Sequence, residues 1–559
     1  MATYTYPRYA YVPPPELVLK PGGPQTAPVL IVGAGLVGLT LALDLALKGI
    51  PVTVLDEDDT VSIGSRSICQ AKRTLEIWHR LGVADRMVAK GVTWDQGEVL
   101  LGDEPLYRFD LQPEPGHRFP AFINLQQYYC EQYLVERCIA EDKVDLRFLS
   151  KVVGVRPGDE YVEVDVQTPD GVYQIRGQWL VACDGVRSPV RTMLGLPYEG
   201  EVFDDQFLIA DIRMTADLPN IRRYWFYPPF HPTDSVLLHR QADNVLRVDF
   251  QLGRDADAEE EKKPANIDRR LRMMFGPDAR WEHEWSSVYK FSCRAMPRFV
   301  NGRVIFAGDA AHVVSPFGAR GGNSGVEDAD NLGWKLALLI EGRASASLLA
   351  SYDKERGAAA RENIRQSTRS TDFITPKFPA ARLLRDAALS LARDFPFARA
   401  MVNSGRLSRP VAYAESPISS PDDIMATWDV AAPAPGMPLP DAPLLDATRG
   451  EVWLTEAVAG RFAVLSFAER ASSLDGAMAR AIVDMADDIP GFRPILITRD
   501  RSGAPDGWTT VIDKSGLAAR RCDARDGTTY LVRPDQYVAA RARRLHDSWV
   551  LAALKRATS

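Results

Sequence analysis

Cysteine and histidine are both scarce in this chain, at six and seven residues among 559. The cysteines are Cys69, Cys130, Cys138, Cys183, Cys293 and Cys522. No Cys-x-x-Cys pair occurs among them, which sets aside a disulfide framework and a redox-active dithiol and predicts reduced thiols. No two histidines are spaced as metal ligands, so no metal centre is expected. A basic excess is also missing: 67 Lys and Arg face 74 Asp and Glu, a net charge of −7. A nucleic-acid binder usually carries the opposite field. No apolar run reaches the roughly eighteen residues that a membrane span needs. The longest, Leu36–Leu47, is interrupted by Asp44 and predicts a buried helix. Residues 1–20 lack the apolar centre of a secretory signal, so a cytoplasmic protein is expected. There is no internal repeat.

What is present is ordinary globular composition, 46% hydrophobic and 25% charged, in a chain too long for a single core. Residues 1–27 are rich in tyrosine and proline and predict an extended arm. Val29–Val32, Gly35–Gly49 and Val52–Leu55 read as strand, helix and strand, a βαβ opening. Helical patterns follow at Ala71–Leu81 and Tyr128–Ala140. From 199 to 297 the pattern alternates, as in Phe207–Met214 and Val245–Phe250, which predicts a mainly antiparallel sheet with one wet face. Residues 345–412 read as mostly helical. Seven prolines between 417 and 443 give 416–450 the composition of a linker. Beyond it, Arg461–Phe467, Pro494–Thr498 and Thr509–Ile512 read as strands, and 528–541 as a hairpin.

Three buried-strand signatures each end in glycine and a carboxylate. Gly33-Ala-Gly35-Leu-Val-Gly38 follows Val29–Val32. Gly33 permits the tight turn, Gly35 a close approach of backbone to a diphosphate, and Gly38 close helix packing, with the helix N-terminus attracting the phosphate charge. Asp56 ends the second strand, roughly 20 residues on, where a carboxylate meets ribose hydroxyls. Asp184-Gly-Val-Arg-Ser-Pro-Val-Arg191 follows Trp179–Ala182; alone it would read as a surface turn with an ion pair. Gly308-Asp309-Ala-Ala-His312 leads into Ser315-Pro316-Phe-Gly318-Ala-Arg320-Gly321-Gly322-Asn323. There the backbone N–H groups of Gly318–Gly322 would precede a helix and stabilise negative charge on a flavin ring. His312 reads as a packed or capping residue beside a cofactor.

In order and spacing these motifs resemble the group A flavoprotein monooxygenases, of the para-hydroxybenzoate hydroxylase and phenol hydroxylase type. Arg66 resembles that family's arginine near the flavin, and Gln127 with Glu131 its glutamine-led helix. Departures are Arg320 in the flavin loop, Asp56 for a more usual glutamate and Glu57 for an arginine. The likeness covers about 28–415. The C-terminal part resembles the thioredoxin-like domain of the hydroxyphenylpropionate hydroxylases, best at Leu531-Val-Arg-Pro-Asp535.

The resemblance implies an α/β fold in which a Rossmann-like FAD-binding domain is interleaved with a mainly antiparallel substrate sheet and followed by a thioredoxin-like domain. The expected divisions are an arm at 1–27, FAD-binding parts at 28–198 (with a short substrate-domain insertion near 89–120) and 298–415, and a substrate sheet at 199–297. A linker at 416–450 and a terminal domain at 451–559 complete them. The expected cofactor contacts are Gly33, Gly35, Gly38, Asp56, Glu57, Arg66, Gln127, Asp184, Gly308, Asp309, Pro316, Gly318, Arg320, Gly321, Gly322 and Asn323. The implied reaction uses NADH or NADPH to reduce FAD, O2 to form a C4a-hydroperoxide, and a small phenolic or aromatic-acid substrate. From position and residue type, Arg213, Tyr224, His239 and Arg240 are the candidates for holding that substrate. Epoxidation, ring opening, decarboxylative hydroxylation and a non-catalytic flavin scaffold remain alternatives. A homodimer is expected, with neither nucleic acid nor membrane as partner.

Overall fold

The computed structural model describes residues 4–17, 26–214, 218–402, 408–423, 425–488 and 491–559. Parts of the expected arm, 1–3 and 18–25, and residue 424 of the expected linker lie outside them. The chain divides into two compact units. The first comprises 1–113, 120–329 and 360–409, and the second 114–119, 330–359 and 410–559.

In the first unit, the β-branched run Thr26–Val32 is a central strand. It pairs in parallel with Gly171–Ala182 on one side and Val52–Leu55 on the other. Val144–Arg147 and Val304–Phe306 extend this sheet in parallel. The helix Leu36–Leu47 follows the first strand as the apolar pattern predicts. The helices Lys72–Arg80 and Gln127–Ile139 likewise sit where their patterns place them.

A second sheet is ordered His312–Val313, Glu282–Ala295, Glu199–Arg213, Val245–Leu252, Ser235–Arg240, Arg222–Phe226, Gln96–Leu101 and Glu104–Asp110. It is antiparallel except between Arg222–Phe226 and Gln96–Leu101. The expected wet face is absent from its centre: every residue of Val245–Leu252 is buried. The reason is visible on each side. Leu246, Val248 and Phe250 pack with Ile267 and Leu271 of the helix Pro264–Phe275. The intervening Arg247 and Asp249 face an internal cavity instead of bulk water. A period-two pattern records only that the two faces differ in polarity.

The second unit carries a mixed thioredoxin-like sheet. Phe462–Arg470 and Phe492–Asp500 pair in parallel at its centre, and Thr529–Val532 with Val538–Ala542 forms the terminal hairpin. Within the proline-dense stretch, Pro443–Asp446 is a strand of this sheet, and Leu439, Ala442 and Leu444 belong to its core. All six cysteines are free thiols. No helix among the described residues is long and apolar enough to cross a membrane.

Candidate functional site

A cavity of about 710 Å³ opens where the first strand turns into its helix. Gly33 makes that turn with φ of +104°, a left-handed conformation that only glycine adopts without strain, and its N–H donates to the Leu55 carbonyl at 2.8 Å. Gly35 caps the helix with no side-chain acceptor. The first-turn N–H groups therefore stay available, and Gly35, Leu36 and Val37 line the cavity. Gly38 packs against the Gly33 carbonyl. Asp56 accepts from the N–H groups of Ala34 and, at 2.9 Å, Asp58. Burial pushes its carboxyl up to about 6 against the pull of those amides. Glu57, expected beside it, turns outward into a half-exposed pair with Lys151 at 2.8 Å and takes no part in the cavity wall.

The second and third motifs hold each other. Arg191 donates to the carbonyls of Val186 and Ala310, both at 2.7 Å. Asp184 accepts from the Val190 N–H at 3.0 Å, while its other oxygen is buried without a partner. Burial raises its pKa, and hydrogen bonds from Ser188 and Val190 pull it back. Cys183, Gly185 and Val186 reach the cavity wall. Asp309 lines it too, its pKa raised by burial and drawn down by His312. His312 is a packed residue: it stacks on Phe299 and shares a 2.7 Å bond with Asp328, which also accepts from the Gly308 N–H at 2.9 Å.

The loop Pro316–Arg320 closes the same cavity, and its helix starts at Gly321, four residues before the apolar pattern announces it. Glycine is a poor helix former, so the first turn carries no sequence signal. Pro316, Arg320, Gly321 and Gly322 line the cavity. Arg320 is buried, donates to the Phe317 carbonyl at 3.1 Å and folds over Gly318. The side chain of Asn323 is engaged elsewhere. It accepts from the Ala71 N–H and the Thr74 hydroxyl at 2.8 and 2.6 Å, and donates to the carbonyls of Cys69 and Ala319 at 2.9 and 2.6 Å.

Opposite, the irregular segment Ser62–Ser67 forms a wall that includes Arg66. Ser62 N–H donates to Glu131 at 2.7 Å, and Ser67 N–H to Gln127 at 3.1 Å. Gln127 in turn donates to Glu131 at 2.7 Å.

The floor is the polar face of the second sheet. Tyr224 and His239 lie on it as expected. The Tyr224 hydroxyl donates to Ser235 at 2.9 Å, and Ser235 to Gln251 at 2.7 Å. Burial, with Arg222 and Arg247 nearby, drives the His239 pKa far down, so its ring is neutral, with Nδ1 unpartnered. The other two candidates are not brought here. Arg213 is paired with Glu282 and Glu284 at 2.9 and 2.6 Å, and Arg240 donates to the Leu218 carbonyl; neither lines the cavity. Alternation explains Arg240, which is one position out of step with His239 and faces the other way, whereas Arg213 shares the face of Phe207 and Ile209 but sits at the strand end, where Glu282 and Glu284 hold it.

Of the sheet's own cations, Arg222, Arg247 and Lys290 face the cavity, in addition to Arg66 and Arg320 on its walls. Arg247 is paired with Asp211 at 2.9 Å. Arg222 has a buried, unpartnered Nε and no ion pair among the described residues. Asp249 has one unpartnered oxygen, and burial pushes its carboxyl up to about 7 against the pull of Arg247 and Arg222. Composition could not single these out, because arginine and aspartate on a strand usually mean solvent.

Arg222, Tyr224 and Phe317 also border a second chamber of about 360 Å³. Its remaining wall is largely apolar, with Phe109, Phe226, Phe373, Leu384, Met401 and Val402 among its residues. Among the described residues no cluster suits a metal ion.

The geometry coincides with what known proteins share with this chain. A family described as FAD binding domain matches residues 26–367. The chain is 30% identical over 567 residues to a 6-methylpretetramide 4-monooxygenase of Streptomyces rimosus, covering 97% of this chain and 94% of that protein. It is 28% identical to a 3-(3-hydroxy-phenyl)propionate/3-hydroxycinnamic acid hydroxylase of Mycobacterium sp. (strain JLS), over 91% of this chain and 88% of the other. The solved structure of the flavin-dependent monooxygenase PieE with FAD and substrate superposes with a TM-score of 0.82 at 24% identity, covering 96% of this chain and 100% of that one.

Proposed function

Because the chain belongs to the FAD-binding family of group A aromatic-ring monooxygenases, which hydroxylate an aromatic substrate with FAD, NAD(P)H and O2, we propose how its own residues divide that work. The donor set suits a dinucleotide. Gly33, Gly35 and Gly38 with the uncapped helix start would hold the diphosphate. Asp56 would accept from the adenosine ribose and Asp309 from the ribityl chain. Arg66, Gln127, Pro316 and Arg320–Gly322 would surround the ring. Bound FAD would carry the two electrons of NAD(P)H to O2 and activate it; the protein orients the aromatic ring and excludes water.

The substrate in this reading is a phenol or aromatic acid whose anionic oxygen rests on Arg222. The buried, unpartnered Nε of Arg222, with no ion pair to its guanidinium among the described residues, carries the assignment, since a charge left without a partner inside a protein is costly unless a ligand completes it. Neutral His239 offers a hydrogen bond to the same oxygen, and the Tyr224–Ser235–Gln251 run fixes the adjacent hydroxyl. The apolar chamber beyond Arg222 gives room for a body larger than one ring. This favours a multi-ring phenol, in line with the pretetramide named for the Streptomyces relative, over the hydroxyphenylpropionate type. A panel running from single-ring phenolic acids to tetracyclic phenols, scored by stimulated NAD(P)H oxidation and hydroxylated product, tests this. Hydroxylation of single-ring acids only would reverse the preference. Lack of stimulation by any aromatic, with flavin bound, would remove the substrate assignment.

The exposed side chains of Phe378, Leu383, Leu384, Phe395 and Phe397 support a homodimer that covers them. Light scattering on purified protein checks its mass.

A further inference from the structure

The tyrosine-rich arm is absorbed by nothing in the reaction, yet it is docked with care. Tyr4 is buried and stacks on Tyr128 with ring centroids 4.1 Å apart, and its hydroxyl donates to Gln132 at 2.9 Å. The Tyr6 ring meets Tyr4 edge-on at 4.8 Å. Arg8 pairs with Asp59, the Tyr9 N–H donates to the Asp59 carbonyl at 2.8 Å, and the Tyr9 ring stacks on Phe148 at 4.5 Å. Further along, Glu16 pairs with Arg147 at 3.0 Å.

One contact reaches the cavity wall itself. The Tyr6 hydroxyl accepts from the Gly64 N–H at 2.9 Å. The segment Ser62–Ser67 has no helix or strand to hold it. Side chains pin its amides instead: Glu131 at Ser62 and Gln127 at Ser67 from one element, and Tyr6 at Gly64 from the arm. Gly64 has a φ of +80° and lies flat against the Trp285 ring, where a Cβ would collide, and Trp285 lines the cavity. The next residue, Ser65, receives Arg247 through its carbonyl and hydroxyl and donates to Asp211. A displacement of Gly64 therefore moves both the wall and part of the floor.

We propose that Tyr6 is a positioning residue: by fixing Gly64 it makes the arm a strap across the wall Ser62–Ser67 and slows the departure of FAD. The inference rests on reading that segment as a wall of the flavin cavity. A flavin can leave only if a wall yields, and the yielding of an irregular segment is governed by its few fixed amides.

The test is the rate of FAD release from holoenzyme, followed by the return of free-flavin fluorescence on dilution far below the binding constant, with thermal melting of each apo-protein alongside. Tyr6→Phe keeps the ring and removes the acceptor; removal of residues 1–8 takes the strap away. Expected are about 3-fold and at least 10-fold faster release, with apo melting unchanged for Tyr6→Phe. Tyr4→Phe, whose lost hydroxyl bonds Gln132 and not the wall, should release FAD at the wild-type rate. Glu131→Gln loosens the same wall from its other side. If it accelerates release while Tyr6→Phe and the truncation stay within 1.5-fold of wild type, the strap is overturned and the wall stands. If none of the variants changes release, both fall. Should the truncation fail to fold, Tyr6→Phe decides alone.

Discussion

Lys335, Glu355, Arg533 and Asp535 in the second unit and Arg222, His239 and Asp249 on the cavity floor are both groups of polar side chains drawn away from bulk water, but the two are finished differently. In the second unit, Glu355 receives Arg533 at 2.6 Å and Lys335 at 2.8 Å, and Arg533 also binds Asp535. Asn331 joins Lys335 at 2.8 Å. Burial would raise the Glu355 pKa, but the two cations hold it well below the usual carboxylate range; Lys335 is pushed down to about 8 by the same burial. On the cavity floor of the first unit, Arg222, His239 and Asp249 each keep an atom without a partner. A closed network specifies a fold, whereas an open one is completed by something that arrives.

Breaking the closed network should have the largest effect. Glu355→Gln leaves two buried cations facing one remaining carboxylate, and unfolding in urea should show a loss of about 3–5 kcal/mol. Arg222→Met should do the reverse. Its melting temperature should hold or rise, while kcat/KM for the aromatic substrate falls roughly 10- to 100-fold, the worth of one charged hydrogen bond. A melting temperature that drops with activity unchanged would show that Arg222 belongs with the structural group.

Asp249 sharpens the contrast through pH. Its folded pKa, about 7, lies above the ordinary carboxylate value near 3.9, so the folded protein holds a proton that the unfolded chain has released. Stability therefore falls as pH rises from about 4 to about 7, by up to about 4 kcal/mol, and Asp249→Asn should flatten that slope. Ligand binding should follow the same ionisation. An anion on Arg222 faces a neutral Asp249 below about pH 7 and a charged one above it. The groups acting on Asp249 are Arg247, Asp211 and Arg222. Inhibitory phenolate binding should weaken several-fold between pH 6 and 8 in the wild type and change little in the variant.

The smallest effect is expected at Cys522 in the second unit. Burial pushes its thiol up to about 12, so it should resist Ellman's reagent in the native state, and Cys522→Ala should leave hydroxylation within 2-fold.

What the sequence disclosed and what it concealed follow the same division. The glycine turn at Gly33 and the strand-to-helix element it starts are legible because such a turn needs glycine at fixed offsets, and those offsets are local. Tyr224 and His239, read from the alternating strands, do line the floor. The sequence does not distinguish Arg222 from Arg213 and Arg240, because no local pattern tells which part of a strand face is roofed and which is open to a neighbouring carboxylate. Glu57 was drawn to a lysine almost a hundred residues away. Asp328, which joins Gly308 to His312, sits in a helical run where an aspartate gives no sign of its partners. The proline-dense stretch shows the same limit, since proline excludes helix interiors but not an edge of the core.

Asn323 stitches together pieces of chain that form opposite lips of one opening. Through a single carboxamide, Cys69, Ala71 and Thr74 on one lip are tied to Ala319 on the other. The two lips must then breathe together, so that amide exchange at Ala71 and mobility of the loop around Ala319 rise and fall as one signal. The rim of the cavity is thus a frame rather than two independent jaws.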